Sequence, residues 1–152
     1  MFENEDQPSL TAIQWFNKGY DYDIAEDYDN AILAYSKAIE LNPQDADAYN
    51  NRGAIYDIKG EYDLAIADYT KAIALDPQDE DAYNNRGIAY DTKGEYDLAI
   101  QDYDKIIELN PRAVDVYINK VIACEKTGNY TDSQIEAMKQ TIYCILNTER
   151  FE

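Results

Sequence analysis

One interval governs this sequence. Ala46–Asp79 aligns without a gap on Glu80–Ala113, with 23 of 34 positions identical. A chain that repeats at this spacing is constrained to build one small supersecondary unit several times and to bury its apolar faces by stacking the copies. The same step backwards puts Trp15, Gly19, Tyr22, Ala31, Tyr35, Ala38 and Pro43 in register with Tyr49, Gly53, Tyr56, Ala65, Tyr69, Ala72 and Pro77. Forwards the fit loosens. Tyr117, Gly128, Tyr130 and Ala137 keep the frame, but Val121 replaces the first glycine, Ser133 replaces the inter-helix alanine, and no proline closes the unit. The spacing predicts repeats over about 12–45, 46–79, 80–113 and 114–147, with an acidic tail over 1–10 and a short tail over 148–152.

Punctuation divides each repeat into two helices. The first follows Asp45, Asp79 or Arg112-Ala113 and stops near Lys59-Gly60, Lys93-Gly94 or Thr127-Gly128. The second, about Tyr62–Leu75 in the second repeat, ends at Asp76-Pro77, because proline disfavours a helical residue before it. Helical spacing is present in both: Tyr49, Arg52, Gly53 and Tyr56 recur at i, i+3, i+4 and i+7 in the first, and Tyr62, Ala65, Ile66, Tyr69, Ala72 and Ile73 do likewise in the second. The fold class is therefore all-α, with about eight helices in antiparallel pairs. Gly53 and Gly87 stand inside helices, where glycine costs about 1 kcal/mol relative to alanine. Close packing of the partner helix is the expected reason, with Ala65 and Ala99 facing them and Tyr49, Tyr56 and Tyr69 filling the space around. The irregular helix over about 131–147 is expected to cap the stack.

Charge narrows the partners. With 31 acidic and 13 basic residues the net charge is −18, which repels nucleic acid and attracts basic ligands. No apolar run is long enough to span a bilayer and the first ten residues carry no apolar leader, so a cytoplasmic, membrane-free setting is expected. Cys124 and Cys144 read as small core residues. Histidine is absent, which removes the commonest general base and metal ligand, and no cofactor motif is present, so no enzyme activity, metal or cofactor is expected. Asp21, Asp23, Asp27 and Asp29 lack the glycine and terminal glutamate of a calcium loop, and Lys59-Gly60 and Lys93-Gly94 are helix endings rather than phosphate loops.

The aromatic, glycine, tyrosine, alanine, aromatic, alanine and proline positions quoted above resemble the tetratricopeptide-repeat family over about residues 12–147. That resemblance implies a right-handed α-solenoid whose first helices line a concave groove, and a module that binds another protein or peptide. On the first helices, Asn17, Asn51, Asn85 and Asn119 form an unbroken column at the repeat interval. Asparagine is a mediocre helix former, so propensity does not explain it. Each amide can donate to a peptide carbonyl and accept from a peptide N–H. With helices roughly 8–10 Å apart, the column would span about 27 Å, the reach of about eight extended residues. The column looks like the asparagine ladder of the O-linked N-acetylglucosamine transferases, which grips peptide backbone. The other reading is that these amides only solvate a helix surface.

Asn50 and Asn84 lie beside the column. Two acidic columns flank it: Asp47, Asp81 and Asp115 on one side, Asp23, Asp57, Asp91 and Glu125 on the other. A basic or polar peptide is the natural complement. In the first repeat Ile13, Phe16, Tyr20 and Ile24 occupy groove positions and form an apolar docking stripe, unless the first ten residues cover it or part of it is core. The family's clamp for acidic heat-shock chaperone tails would fall on Phe16, Tyr20, Asn51, Asp81 and Asn85, of which only Asn51 matches, so those tails are not expected as ligands. The alternative to peptide binding is a self-associating scaffold that stacks through its ends or through the first repeat.

Overall fold

Eight helices occupy residues 10–148, the span that the computed structural model describes: α1 (Ala12–Ile24), α2 (Tyr28–Leu41), α3 (Ala46–Ile58), α4 (Tyr62–Leu75), α5 (Glu80–Lys93), α6 (Tyr96–Leu109), α7 (Val114–Thr127) and α8 (Asp132–Thr148). The tails expected over 1–10 and 148–152 lie, apart from Leu10 and Thr148, outside the described residues. Each helix packs on its chain neighbours, giving an all-α stack of helical pairs.

Local chemistry sets the boundaries. Thr11 and Gln14 close a reciprocal capping box at the start of α1, Asp45 accepts from the Ala48 amide, and Asp79 accepts from the amides of Asp81 and Ala82. Gly60, Gly94 and Gly128 take the left-handed conformation that turns each first helix into its second. The first repeat has Glu26 in that register and holds it at φ 57°, a conformation strained for a residue with a Cβ.

Inside the repeats, glycine makes room for a ring. A Cβ on Gly19, Gly53 or Gly87 would stand 2.7, 2.8 or 2.7 Å from the ring of Tyr35, Tyr69 or Tyr103. Those three tyrosines are among the largest fully enclosed side chains. The expectation that Ala65 and Ala99 face the glycines is thus corrected. Both alanines are buried, but the atoms nearest a Cβ on either glycine belong to the tyrosine ring four residues on, with the Ala65 carbonyl oxygen next, at 3.3 Å, for Gly53.

A second internal device was not read from the sequence. Arg52 forks onto Asp68 with bonds of 2.7 and 2.8 Å, reaches Ser36 of the preceding repeat at 2.9 Å, and lies between the rings of Tyr49 and Tyr56. Arg86 repeats this with Asp102, Thr70, Tyr83 and Tyr90. The planar guanidinium satisfies a buried carboxylate, stacks on two rings and ties three helices together.

The fourth repeat departs from this plan. The interval would bury Gln134, Ala137 and Thr141 on α8, the counterparts of Ile100, Tyr103 and Ile107, yet all three are exposed. The packed stripe falls one residue later, on Ile135, Met138 and Ile142. One residue is a turn of about 100° about the helix axis. Val121 stands in the glycine register and is buried in a cluster with Ile135, against which Met138, Ile142 and Tyr130 pack. Ala137 therefore does not keep the frame, since it stands in the tyrosine register on a rotated helix. Cys144 also departs from expectation: Cys124 is buried, but Cys144 is exposed on α8. Ile145 replaces the closing proline, and α8 runs on to Thr148.

Candidate functional site

The first helices α1, α3, α5 and α7 carry the predicted asparagines and acids in one register. Side chains bridge three of them: the Asn85 Nδ2 donates to the Asn50 Oδ1 at 3.2 Å, from α5 to α3, and Lys126 on α7 reaches Asp91 on α5. Of the column, Asn51, Asn85 and Asn119 are half-buried and Asn17 is exposed. The column is not uniform, because Asn85 spends one donor on Asn50. Asn50 and Asn84 are half-buried beside it.

The acidic column on one flank, Asp47, Asp81 and Asp115, is exposed. Partial burial and the neighbouring Asp45, Asp79 and Asp76 push the Asp47 carboxyl up from its ordinary value. At the far end Asp81, Asn84 and Asp115 share a cleft of about 520 Å³ with Glu80, Arg112, Val116 and Leu146. Neither Arg112 nor Leu146 was read from the sequence as a site residue. Arg112 puts a cation among the acids, and Leu146 is there because α8 outruns the missing proline.

The other acidic column divides in two. Asp91 receives Lys126 at 2.8 Å and Glu125 receives Lys139 at 2.7 Å. Both residues were expected to face a basic ligand, and both already hold a cation of this chain. Among the described residues no cation pairs with Asp23 or Asp57, and burial raises both carboxyls above their ordinary value. One oxygen of Asp57 is enclosed without a hydrogen-bond partner. The Tyr35 hydroxyl, on a side chain with no exposure, likewise lacks a partner of good geometry. Burial, and then the charge of Asp23, pushes that phenol up to about 12, while the adjacent Asn51 amide offsets this in part.

The apolar stripe separates as well. Ile13, Tyr20 and Ile24 are exposed at 72%, 54% and 67%, whereas Phe16 turns inward and meets the Tyr35 ring edge-on at 5.5 Å. Phe16 is core. No described helix is long and apolar enough to cross a membrane, and among the described residues no group of three or more His, Cys, Asp or Glu is placed to hold a metal ion.

The chain matches the tetratricopeptide-repeat model over residues 46–79 and 80–112 and a TPR-repeat model over 19–57. No curated protein sequence matches it. Among solved structures it is similar to MamA, at 26% identity and a TM-score of 0.85 over 93% of this chain and 81% of that one. It is similar also to the first TPR of Spaghetti (RPAP3) bound to an HSP90 peptide, at 25% identity and a TM-score of 0.75, covering 78% and 94% of the two chains. The TPR2B domain of yeast Sti1 in complex with pHsp70 gives 29% identity and a TM-score of 0.70, covering 76% and 97%.

Proposed function

The chain belongs to the tetratricopeptide-repeat family, and we propose that it is a non-enzymatic interaction module that holds an extended, basic or polar peptide segment of a partner protein along its first helices. The observation that carries this reading is the register of Asn51, Asn85 and Asn119, half-buried amides on successive first helices. Such amides pair with peptide N–H and C=O groups whatever the side chains, and the flanking acids then select among sequences.

Two of the similar structures are described as bound to an HSP90 peptide and to pHsp70. The acidic chaperone tails of the family's clamp are not the ligand proposed here. The clamp positions fall on Phe16, Tyr20, Asn51, Asp81 and Asn85, which supply no cation, and Phe16 is committed to the core. The test is affinity capture from source lysate at moderate salt, comparing the wild type with Asn51→Ala/Asn85→Ala. Loss of a discrete partner with helicity intact supports the amide ladder, and identical capture by both proteins removes it.

A second reading, self-assembly into a scaffold, rests on the exposed apolar side chains at the two ends: Ile13 and Ile24 on α1, Tyr143 and Leu146 on α8. Sedimentation over a concentration series tests it. Ile13→Asp is the informative variant, because Phe16→Asp would damage the core. A strict monomer at all concentrations excludes this reading.

A further inference from the structure

Two contacts set α5 and α7 side by side and pointing the same way. At one end Asp81 and Asn84 share the cleft of about 520 Å³ with Val114, Asp115 and Val116. At the other the Lys126 ammonium reaches both oxygens of Asp91, at 3.1 and 2.8 Å. Asn84, Ile88 and Asp91 follow one another at i, i+4 and i+7 on α5, and Asp115, Ile118, Ile122 and Lys126 at i, i+3, i+7 and i+11 on α7. Each set is one stripe of its helix. Between the cleft and the ion pair the facing stripes therefore carry three isoleucines, Ile88, Ile118 and Ile122, exposed at 39%, 41% and 42%.

The same register is different elsewhere. At the place of Ile88 and Ile122 the first two repeats have Tyr20 and Ala54, and at the place of Ile118 the second and third have Asn50 and Asn84. An isoleucine gains nothing there from helix propensity and leaves apolar surface in water. Scattered singly, such residues need no explanation, but three on facing stripes make one patch. Asn85 precedes Ile88 by three residues and Asn119 precedes Ile122 by three, so the last two amides of the column border the patch. An apolar floor with a few polar groups at its rim is the usual make-up of a ligand site.

Charge selects the occupant. Glu80, Asp81 and Asp115 outnumber Arg112 around the adjoining cleft. A second copy of this chain brings a net charge of −18, and residues 149–152, which follow α8, bring two glutamates against one arginine. Both are repelled where a cationic segment is attracted. We propose that Ile88, Ile118 and Ile122 form an apolar side-chain site of the peptide surface, and that its occupant is an extended segment of a partner protein that sets an aliphatic side chain on the isoleucines, beside a lysine or arginine directed to the acids of the cleft. The proposal rests on the peptide-binding reading above and deepens it by naming a side chain that neither the amide column nor the acids select.

Two octapeptides of equal charge test this: Lys-Leu-Lys-Ser-Lys-Leu-Lys-Ser and its counterpart with serine for both leucines, each fluorescein-labelled and titrated by anisotropy at fixed moderate salt. The full chain is expected to bind the leucine peptide at least about tenfold more tightly, the order that burial of one aliphatic side chain supplies. That preference should fall to about twofold or less in Ile88→Thr/Ile122→Thr and persist in Ile24→Thr/Ile58→Thr, which removes two exposed isoleucines from the other end of the surface. Loss in both variants overturns the proposal, because any apolar surface then serves, and so does persistence in both. Asp81→Asn/Asp115→Asn should weaken both peptides alike, and if it weakens neither, the cationic half of the assignment is overturned. Asn51→Ala/Asn85→Ala keeps failure of the site apart from failure of the peptide surface. If that variant loses both peptides and the full chain shows no leucine preference, the surface stands and the site fails. If no variant changes the binding of either peptide, or the full chain binds neither, both readings fail. Stronger self-association of the wild type than of Ile88→Thr/Ile122→Thr in sedimentation makes a second copy the occupant and overturns the assignment, as does a leucine preference that appears only once residues 149–152 are deleted. Thermal melting of each variant reports loss of fold; should the Ile88 and Ile122 pair melt early, Ile118→Thr, a single change in the same site, carries the comparison.

Discussion

The third and fourth repeats meet the same packing demand in opposite ways. In the third, Gly87 leaves a gap that the Tyr103 ring fills, and Arg86 forks onto the buried Asp102 of the same repeat. In the fourth, Val121 stands in the glycine register, α8 turns by one residue to bring Ile135 and Met138 inward, and Lys120 pairs with Asp104 of the preceding repeat. Its Glu136, in the register of Asp102, is exposed. Both repeats bond to the one before, the third through Arg86 to Thr70 and the fourth through Lys120 to Asp104; the third in addition pairs a buried carboxylate within itself. Among the described residues no further helix follows α8, which gives up the repeat register and turns Gln134, Glu136 and Thr141 to the exterior.

The largest contrast is expected at the ring. Tyr103→Ala leaves a ring-sized hole and should cost about 3–5 kcal/mol, whereas changing Ala137, in the same register on exposed α8, should move stability by no more than about 0.5 kcal/mol. Chemical denaturation reads both, and similar costs would mean that α8 is not rotated. Next comes the cation. Arg86→Ala strands the buried Asp102 carboxylate and should cost about 3 kcal/mol, while Lys120→Ala removes an ion pair to the half-exposed Asp104 and should cost less than about 1 kcal/mol. Arg86→Lys should recover only part of the loss, because an ammonium cannot fork.

The smallest effect compares the unpaired acid with the paired one. Burial raises the Asp57 carboxyl in the folded chain above its unfolded value, so folding favours its protonated form. That contribution is present in full below the unfolded pKa and is lost as pH rises through the folded one. Asp57→Asn should therefore melt about 1–2 °C above wild type at neutral pH, with the gap closing as pH falls through the carboxylate range. Asp91→Asn, which gives up Lys126, should show no such gain.

The helix count, the boundaries at Gly60 and Pro77 and the stack of pairs were all legible, because glycine, proline and aspartate act on the backbone locally and need no tertiary information. The glycine pairing was half legible. Gly87 announced a close approach, but a ring reaches farther than a methyl, and helical spacing alone cannot say which partner arrives. The rotation of α8 was written in the spacing of Ile135, Met138 and Ile142, and the exact interval of the earlier repeats masked it. Arg52 and Asp68 are sixteen residues apart, and nothing local in the sequence marks them as partners. At the candidate surface the columns were readable as columns. Which acids are already occupied depended on Lys126 and Lys139 reaching across helices, a fact of side-chain geometry.

The central claim is that a partner lies along the first helices, and the most direct measurement follows the side-chain amide resonances of the ¹⁵N-labelled chain as captured partner, or its minimal peptide, is added. The account predicts that Asn51, Asn85 and Asn119 shift together and saturate at one stoichiometry, while Gln101 on α6 and Gln140 on α8 stay in place. Shifts confined to α6 and α8, with those three asparagines unmoved, would contradict it.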